Sequence, residues 1–229
     1  MKKLFVLFFL GLAINANAQN EKPIEINRFR LAINGGISQL LAKTSDAVPA
    51  QSRDYVSELK SGYHYGADVT YFIKPTWGLG AKFNQFRTSN EGIMGSTDQM
   101  GNLVLLNMED NIKHTFIGPS FSTKYTTLNT KHTFIFAVAL GYLGYHNSAT
   151  IESQPIEITG GTFGSALDAA YDLNITKRFA IGAQLSITGG TLSKLTYSSG
   201  GVSNTQTFGK DEKESMSRLD FSLGARFNF

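Results

Sequence analysis

The sequence predicts an all-β protein: an eight-stranded antiparallel up-and-down transmembrane β-barrel, with short turns at one end and long loops at the other. Three observations carry that prediction. In the last stretch Leu219, Phe221, Leu223, Ala225, Phe227 and Phe229 alternate with Asp220, Ser222, Gly224, Arg226 and Asn228. A period of two puts these sets on opposite faces of a strand, apolar toward hydrocarbon and polar toward a filled interior. The connections between such stretches alternate between long and short. The N-terminus reads as an export signal, and no later segment approaches the roughly 20 apolar residues of a spanning helix.

Lys2 and Lys3 form a short positive region, and Leu4 to Ile14 an apolar run. Ala16-Asn17-Ala18 supplies the small-x-small cleavage pattern, so residues 1–18 are expected to be a cleaved signal peptide. Residues 19–28 follow as a polar periplasmic lead-in, and 29–229 as the barrel. With Lys2 and Lys3 taken from the 21 basic residues, 19 face 18 acidic ones, which leaves no nucleic-acid footprint. The chain has no cysteine, excluding disulfides, thiolate metal sites, a Cys nucleophile and a lipid anchor on Cys.

Each strand has its own alternation. In the first, Phe29, Leu31, Ile33 and Ile37 oppose Arg30, Ala32, Asn34 and Ser38, with Gly35-Gly36 marking a bend or close packing. The second sets Tyr63, Tyr65, Ala67, Val69, Tyr71 and Ile73 against His64, Gly66, Asp68, Thr70 and Phe72. Lys74-Pro75-Thr76 is a tight turn, after which Trp77, Leu79, Ala81 and Phe83 resume the apolar face. Pairing Ile73 with Trp77 and counting back sets Asp68 opposite Lys82 on the inner face.

The fourth strand runs from about Ile112 to Tyr125, with Ile117, Phe121 and Tyr125 against His114, Gly118, Ser120, Ser122 and Lys124. In the fifth, Phe134, Phe136, Val138, Leu140 and Tyr142 face outward, and small Ala137, Ala139 and Gly141 leave room inside a narrow barrel. Strand six places Phe163, Leu167, Ala169, Tyr171 and Leu173 against Gly164, Ala166, Asp168, Ala170 and Asp172. Strand seven places Phe179, Ile181, Ala183, Leu185 and Ile187 against Ala180, Gly182, Gln184 and Ser186. Residues 42–60, 87–111, 147–161 and 189–217 are the expected long connections, with Ile151, Ile156 and Ile158 suggesting that strands extend into the third. Aromatic residues near strand ends, among them Tyr63, Trp77, Tyr125, Tyr142 and Phe229, suit two interfacial girdles.

The terminal Ser222-x-Gly224-x-x-Phe227-x-Phe229 resembles the signal read by the barrel-assembly machinery of Gram-negative bacteria. Together with turns such as Leu173-Asn174-Ile175-Thr176-Lys177-Arg178-Phe179, the mature chain resembles small outer-membrane barrel families of Bacteroidota, of the PorT-like kind. The resemblance implies the fold and an outer-membrane location. It implies no particular activity. Outer-membrane lipid, lipopolysaccharide and the assembly machinery are the implied partners, with an unidentified extracellular or secretion partner for the loops.

The expected interior polar network comprises Asp68, Lys82, Lys124, Asp168, Asp172, Asp220 and Arg226, near His64 and His114. An eight-stranded barrel is just wide enough to be filled by side chains, so these charges are expected to pair rather than line a channel. Arg226 is expected to neutralise Asp172 or Asp220. No phosphate-binding Gly pattern occurs, and His64, His114, His132 and His146 lack metal-ligand spacing, so no metal or cofactor is expected. The mixed-sign run Lys210–Glu214 reads as a solvated loop tip.

Small outer-membrane barrels that modify lipid A use a His with Ser or Asp near the outer rim, where His146-Asn147-Ser148 falls. Residues two apart share a face without making a hydrogen-bonded dyad, and no orienting acid can be assigned, so no catalytic residue is expected. The expectation is a non-enzymatic envelope or surface-interaction protein. The alternatives are a lipid-modifying enzyme (acyl hydrolase or transferase) or narrow pore on the same scaffold, and a soluble barrel that binds a small ligand with its apolar faces inside.

Overall fold

The computed structural model describes residues 27–42, 48–49, 52–97, 103–209 and 213–229. The signal peptide with Ala16 and Ala18, most of the lead-in, and residues 210–212 of the mixed-sign run lie outside the described residues. The described elements are β1 (Phe29–Leu40), α1 (Arg53–Glu58), β2 (Ser61–Lys74), β3 (Trp77–Thr97), β4 (Leu103–Thr126), β5 (His132–Ile151), β6 (Gln154–Asn174), β7 (Phe179–Leu192), β8 (Lys194–Ser199), β9 (Val202–Thr207), β10 (Glu214–Ser215) and β11 (Arg218–Asn228).

Eight of these strands form a ring. Each of β1 to β7 is antiparallel to the next, β7 pairs with β11, and β11 returns to β1. Leu31 lies opposite Phe227, Asn34 opposite Gly224 and Ser38 opposite Asp220 across the closing seam. Closure leaves no unpaired edge, which a backbone surrounded by lipid requires.

The two faces sort by polarity in the sense opposite to a soluble barrel. Ile37, Phe136 and Leu223 are 69%, 60% and 61% exposed on the outside, whereas Asp220, Arg218 and Arg226 are fully buried inside. That arrangement removes the soluble ligand-binding alternative, since an apolar belt of this size needs hydrocarbon around it. Asp68 faces Lys82 in the β2–β3 register, although a bulge at the turn gives Trp77 to Lys74 instead of Ile73. The slip is confined to the turn, so the inner-face register beyond it is unaffected.

Three expected loops are largely ordered sheet. Residues 87–111 continue β3 and β4 as a ladder from Arg87 opposite Lys113 to Thr97 opposite Leu103. Residues 147–161 form a hairpin whose turn residues, Glu152 and Ser153, both have positive φ. Within 189–217, β8 and β9 pair with each other, and β8 docks on β6 at Glu157–Thr159. Their buried face mixes polar Thr88, Asp110 and Asn147 with apolar Leu192 and Leu195, so no sustained apolar period of two marks them in the sequence. In the first long connection, α1 packs Tyr55 inward.

Candidate functional site

Inward positions set by the pleat create three charge clusters along the lumen. At the short-turn end, Arg30 Nη2 and Nε donate to Asp172 Oδ2 at 2.8 and 3.0 Å, and Arg226 Nε donates to Asp172 Oδ1 at 3.0 Å. In the middle, Lys82 Nζ lies 3.0 Å from Asp168 Oδ1 and 3.4 Å from Asp68 Oδ1. Asn34 Nδ2 donates to the free side of Asp68 at 3.0 Å. Farther up, Arg218 Nε bridges both oxygens of Asp220 at 2.9 and 3.0 Å. Ser38 Oγ donates to Asp220 Oδ1 at 2.6 Å and also meets His64 Nδ1 at 2.8 Å. Every anion here faces a cation, as burial in a low-dielectric interior demands.

Of the residues singled out from sequence, Asp68, Lys82 and Asp168 are thus brought together, as are Asp172 and Arg226. Asp220 belongs to Arg218 instead. Lys124 makes no ion pair among the described residues; its ammonium sits 3.9 Å from the centre of the Phe72 ring. Sequence reasoning missed Arg30 and Arg218. Both have the inward parity of their strands, Arg30 with Asn34 and Arg218 with Asp220, so the pleat alone could have found them.

Above Asp220 the lumen turns apolar. Phe86, His114 and Tyr145 pack as a row of tilted rings, with 5.4 Å between successive ring centres. Phe116, Ala139, Leu143, Ala166, Leu192 and Met216 close over them. A void of about 20 Å³ bordered by Asp68, Asp168 and Gln184 is the size of one water molecule. At the mouth, Tyr55 of α1 donates to Asp110 Oδ2 at 2.7 Å, and Asn147 Nδ2 donates to Asp110 Oδ1 at 2.6 Å. Burial first, then the Asp110 carboxylate, holds the Tyr55 phenol well above its ordinary pKa. Tyr55→Phe should cost about 2 kcal/mol of local stability by removing a hydrogen bond to a charged acceptor. Faster proteolysis within 41–60, with unchanged barrel melting, is the expected readout.

The outer rim differs from expectation. His146 Nε2 lies 3.2 Å from Ser148 Oγ and 3.0 Å from Glu157 Oε2, and Ser148 Oγ donates to Glu157 Oε2 at 3.2 Å. The dyad expected to be absent is present, with an acid beside it. The long imidazole reaches the short Ser148 side chain along the strand. The β5–β6 register places Glu157 directly opposite Ser148, a pairing that reading 147–161 as a loop had hidden. On the same outward row Arg87, Lys113 and His146 are successive cross-strand neighbours.

No protein-family model and no characterised protein sequence matches the chain. Among solved structures, a major outer membrane protein from Thermus thermophilus superposes with a TM-score of 0.57 at 10% identity, covering 88% of this chain and 98% of that one. Neisserial surface protein A superposes with a TM-score of 0.51 at 11% identity, covering 88% and 97%. At these identities the likeness establishes the fold, an outer-membrane β-barrel. The apolar exterior on that fold places the protein in the outer membrane of a Gram-negative cell.

Proposed function

We propose that the protein is a non-conducting outer-membrane barrel of the cell envelope, whose strand extensions work at the cell surface. The observation that carries this reading is the filled lumen: paired charges below, stacked rings and aliphatic side chains above, and Tyr55 across the mouth. The strands run in up-and-down order, the short turns facing the periplasm and the β3–β4, β5–β6 and β8–β9 extensions facing outward. Those extensions are the surface for an extracellular or secretion partner, while lipid and lipopolysaccharide surround the belt. Membership of the PorT-like families is part of the proposal, as is reading of Ser222, Gly224, Phe227 and Phe229 by the assembly machinery.

Planar-bilayer recording tests the lumen. The expected result is no stable single-channel step; large, uniform steps would overturn the filled-barrel reading. A second reading, a lipid-modifying enzyme on the same scaffold, is favoured by one observation, the hydrogen-bonded group His146, Ser148 and Glu157.

A further inference from the structure

We propose that Ser148, His146 and Glu157 form a serine ester-hydrolase site on the outside of the barrel, acting on fatty-acyl esters of an anionic outer-leaflet lipid. The proposal goes beyond the filled lumen and rests on the membrane placement of the barrel. Its first support is depth. The row Ala67, Phe83, Ile117, Tyr142 and Phe163 runs unbroken and outward-facing across β2 to β6. His146 stands four residues above Tyr142, which on a tilted strand is about 10 Å along the barrel axis. With Tyr142 in the upper interfacial girdle, His146 lies on the headgroup side of the hydrocarbon.

Its second support is composition. Side chains of His146 and Glu157 are 41% and 50% exposed, open to a ligand rather than sealed in the sheet. Asn111 lies directly opposite Ser148 on β4, and Lys113 directly opposite His146. An amide donor and a cation thus flank the hydroxyl on the side away from Glu157, within the roughly 5 Å spacing of cross-strand pairs. Lys113 makes no ion pair among the described residues, and Arg87 next to it on the row is held by Tyr65 and Gln85, not by a carboxylate. Two cations without acidic partners at headgroup level suit a lipid phosphate.

Its third support is a path. Gly144 and Gly161 face each other across β5 and β6 just below His146, and only the Tyr142 ring lies over them. This side-chain-free strip runs from the apolar belt to the foot of His146, so the ester end of an outer-leaflet lipid can lie against the sheet as it reaches Ser148. Swinging Tyr142 aside would open it.

The chemistry follows from the positions. With His146 carrying its proton on Nδ1, the Ser148 hydroxyl turns its proton from Glu157 Oε2 to Nε2, which accepts it as Oγ attacks the ester carbonyl. Glu157 Oε2, on the same nitrogen, then pairs with the imidazolium; it stabilises that charge rather than orienting Nδ1. The Asn111 amide faces the developing oxyanion, while Lys113 holds the lipid phosphate. Collapse breaks the bond to the alcohol oxygen, which takes the proton from His146 and leaves as the deacylated lipid. Water then adds to the acyl-serine, gives one proton back through His146 to Ser148, and releases the fatty acid.

The test uses the full chain exported to the outer membrane and purified in detergent. Folding is verified by the shift in gel mobility on boiling. Fatty-acid release is measured by mass spectrometry from phosphatidylglycerol vesicles and from phosphatidylethanolamine vesicles carrying lipid A, alongside labelling by a fluorophosphonate. Release from either set, with the label on Ser148, supports the proposal, and the set that reacts identifies the lipid. Ser148→Ala and His146→Ala should lower release by about 10²–10⁴-fold in folded protein. Lys113→Gln should raise KM with kcat unchanged, and Glu157→Gln should lower kcat while labelling persists. Folded protein that releases no fatty acid from either set and takes no label overturns the site, as does full activity in Ser148→Ala. Neither outcome bears on the filled lumen, which conductance tests separately.

Discussion

Asp172→Ala should destabilise the barrel by about 3–5 kcal/mol, the cost of stranding buried charge. Asp172 is the single anion between Arg30 and Arg226, held by both at 2.8–3.0 Å and nearly inaccessible to solvent. Removing it leaves two guanidinium groups facing each other in a lumen whose void admits about one water molecule. Neither can deprotonate to escape, because an Arg side chain stays charged. Denaturant unfolding in lipid vesicles, followed by tryptophan fluorescence, would measure the loss through Trp77 at the β3 turn. A triple replacement, Asp172→Leu with Arg30→Met and Arg226→Met, should recover most of it, because a buried ion network replaced by packed apolar groups is close to neutral. Equal stability of Asp172→Ala and the native chain would mean that the cluster is hydrated and contributes little.

Gly224→Val should prevent closure of the barrel, with a cost at or above the roughly 3 kcal/mol upper range for overpacking. A Cβ at Gly224 would overlap the Ile33 carbonyl oxygen on β1 and lie 2.7 Å from Arg226 Nη1. Gly224 pairs with Asn34 on one side and Gly182 on the other, and a Cβ at Gly182 would collide with Asp172 and the Tyr171 carbonyl. Bare backbone at these two positions lets the Arg226–Asp172 pair lie flat on the sheet at the seam. The same glycine belongs to the proposed assembly signal, and two assays separate the roles. Gly224→Val should fail both in vitro refolding and cellular assembly. Phe229→Ala, whose ring is 60% exposed, should refold normally in vitro and assemble slowly in cells. Normal refolding of Gly224→Val would remove the steric argument.

The barrel core was legible because lipid outside and packing inside impose opposite polarity on alternate residues. Ile33 and Asn34, or Phe221 and Ser222, show this pair by pair. What escaped notice lay where that contrast fades. From Arg87 to Asn111 and from Asn147 to Gly161 the inward face carries buried polar Thr88, Asp110 and Asn147, so ladder continuation left little apolar rhythm. Missing the second hairpin meant missing Glu157, since only its register brings the carboxylate opposite Ser148. The apolar plug of Phe116, Leu143, Leu192 and Met216 was missed for a related reason. Above the belt the inside is the drier face, and polarity inverts.

By itself the sequence determined the strand class, the inward or outward face along the barrel strands and the Asp68–Lys82 pairing, because a pleat of period two and one short turn dictate them locally. Only closure of the ring decided which charges meet. Arg30 and Asp172 are 142 residues apart, and Arg226 joins them across the β11–β1 seam. Parity says that each points inward; the curvature of the closed sheet and the bare backbone at Gly182 and Gly224 decide which partners lie within reach. At the rim, likewise, His146 and Ser148 share a face by parity, while the hairpin register alone supplies the acid.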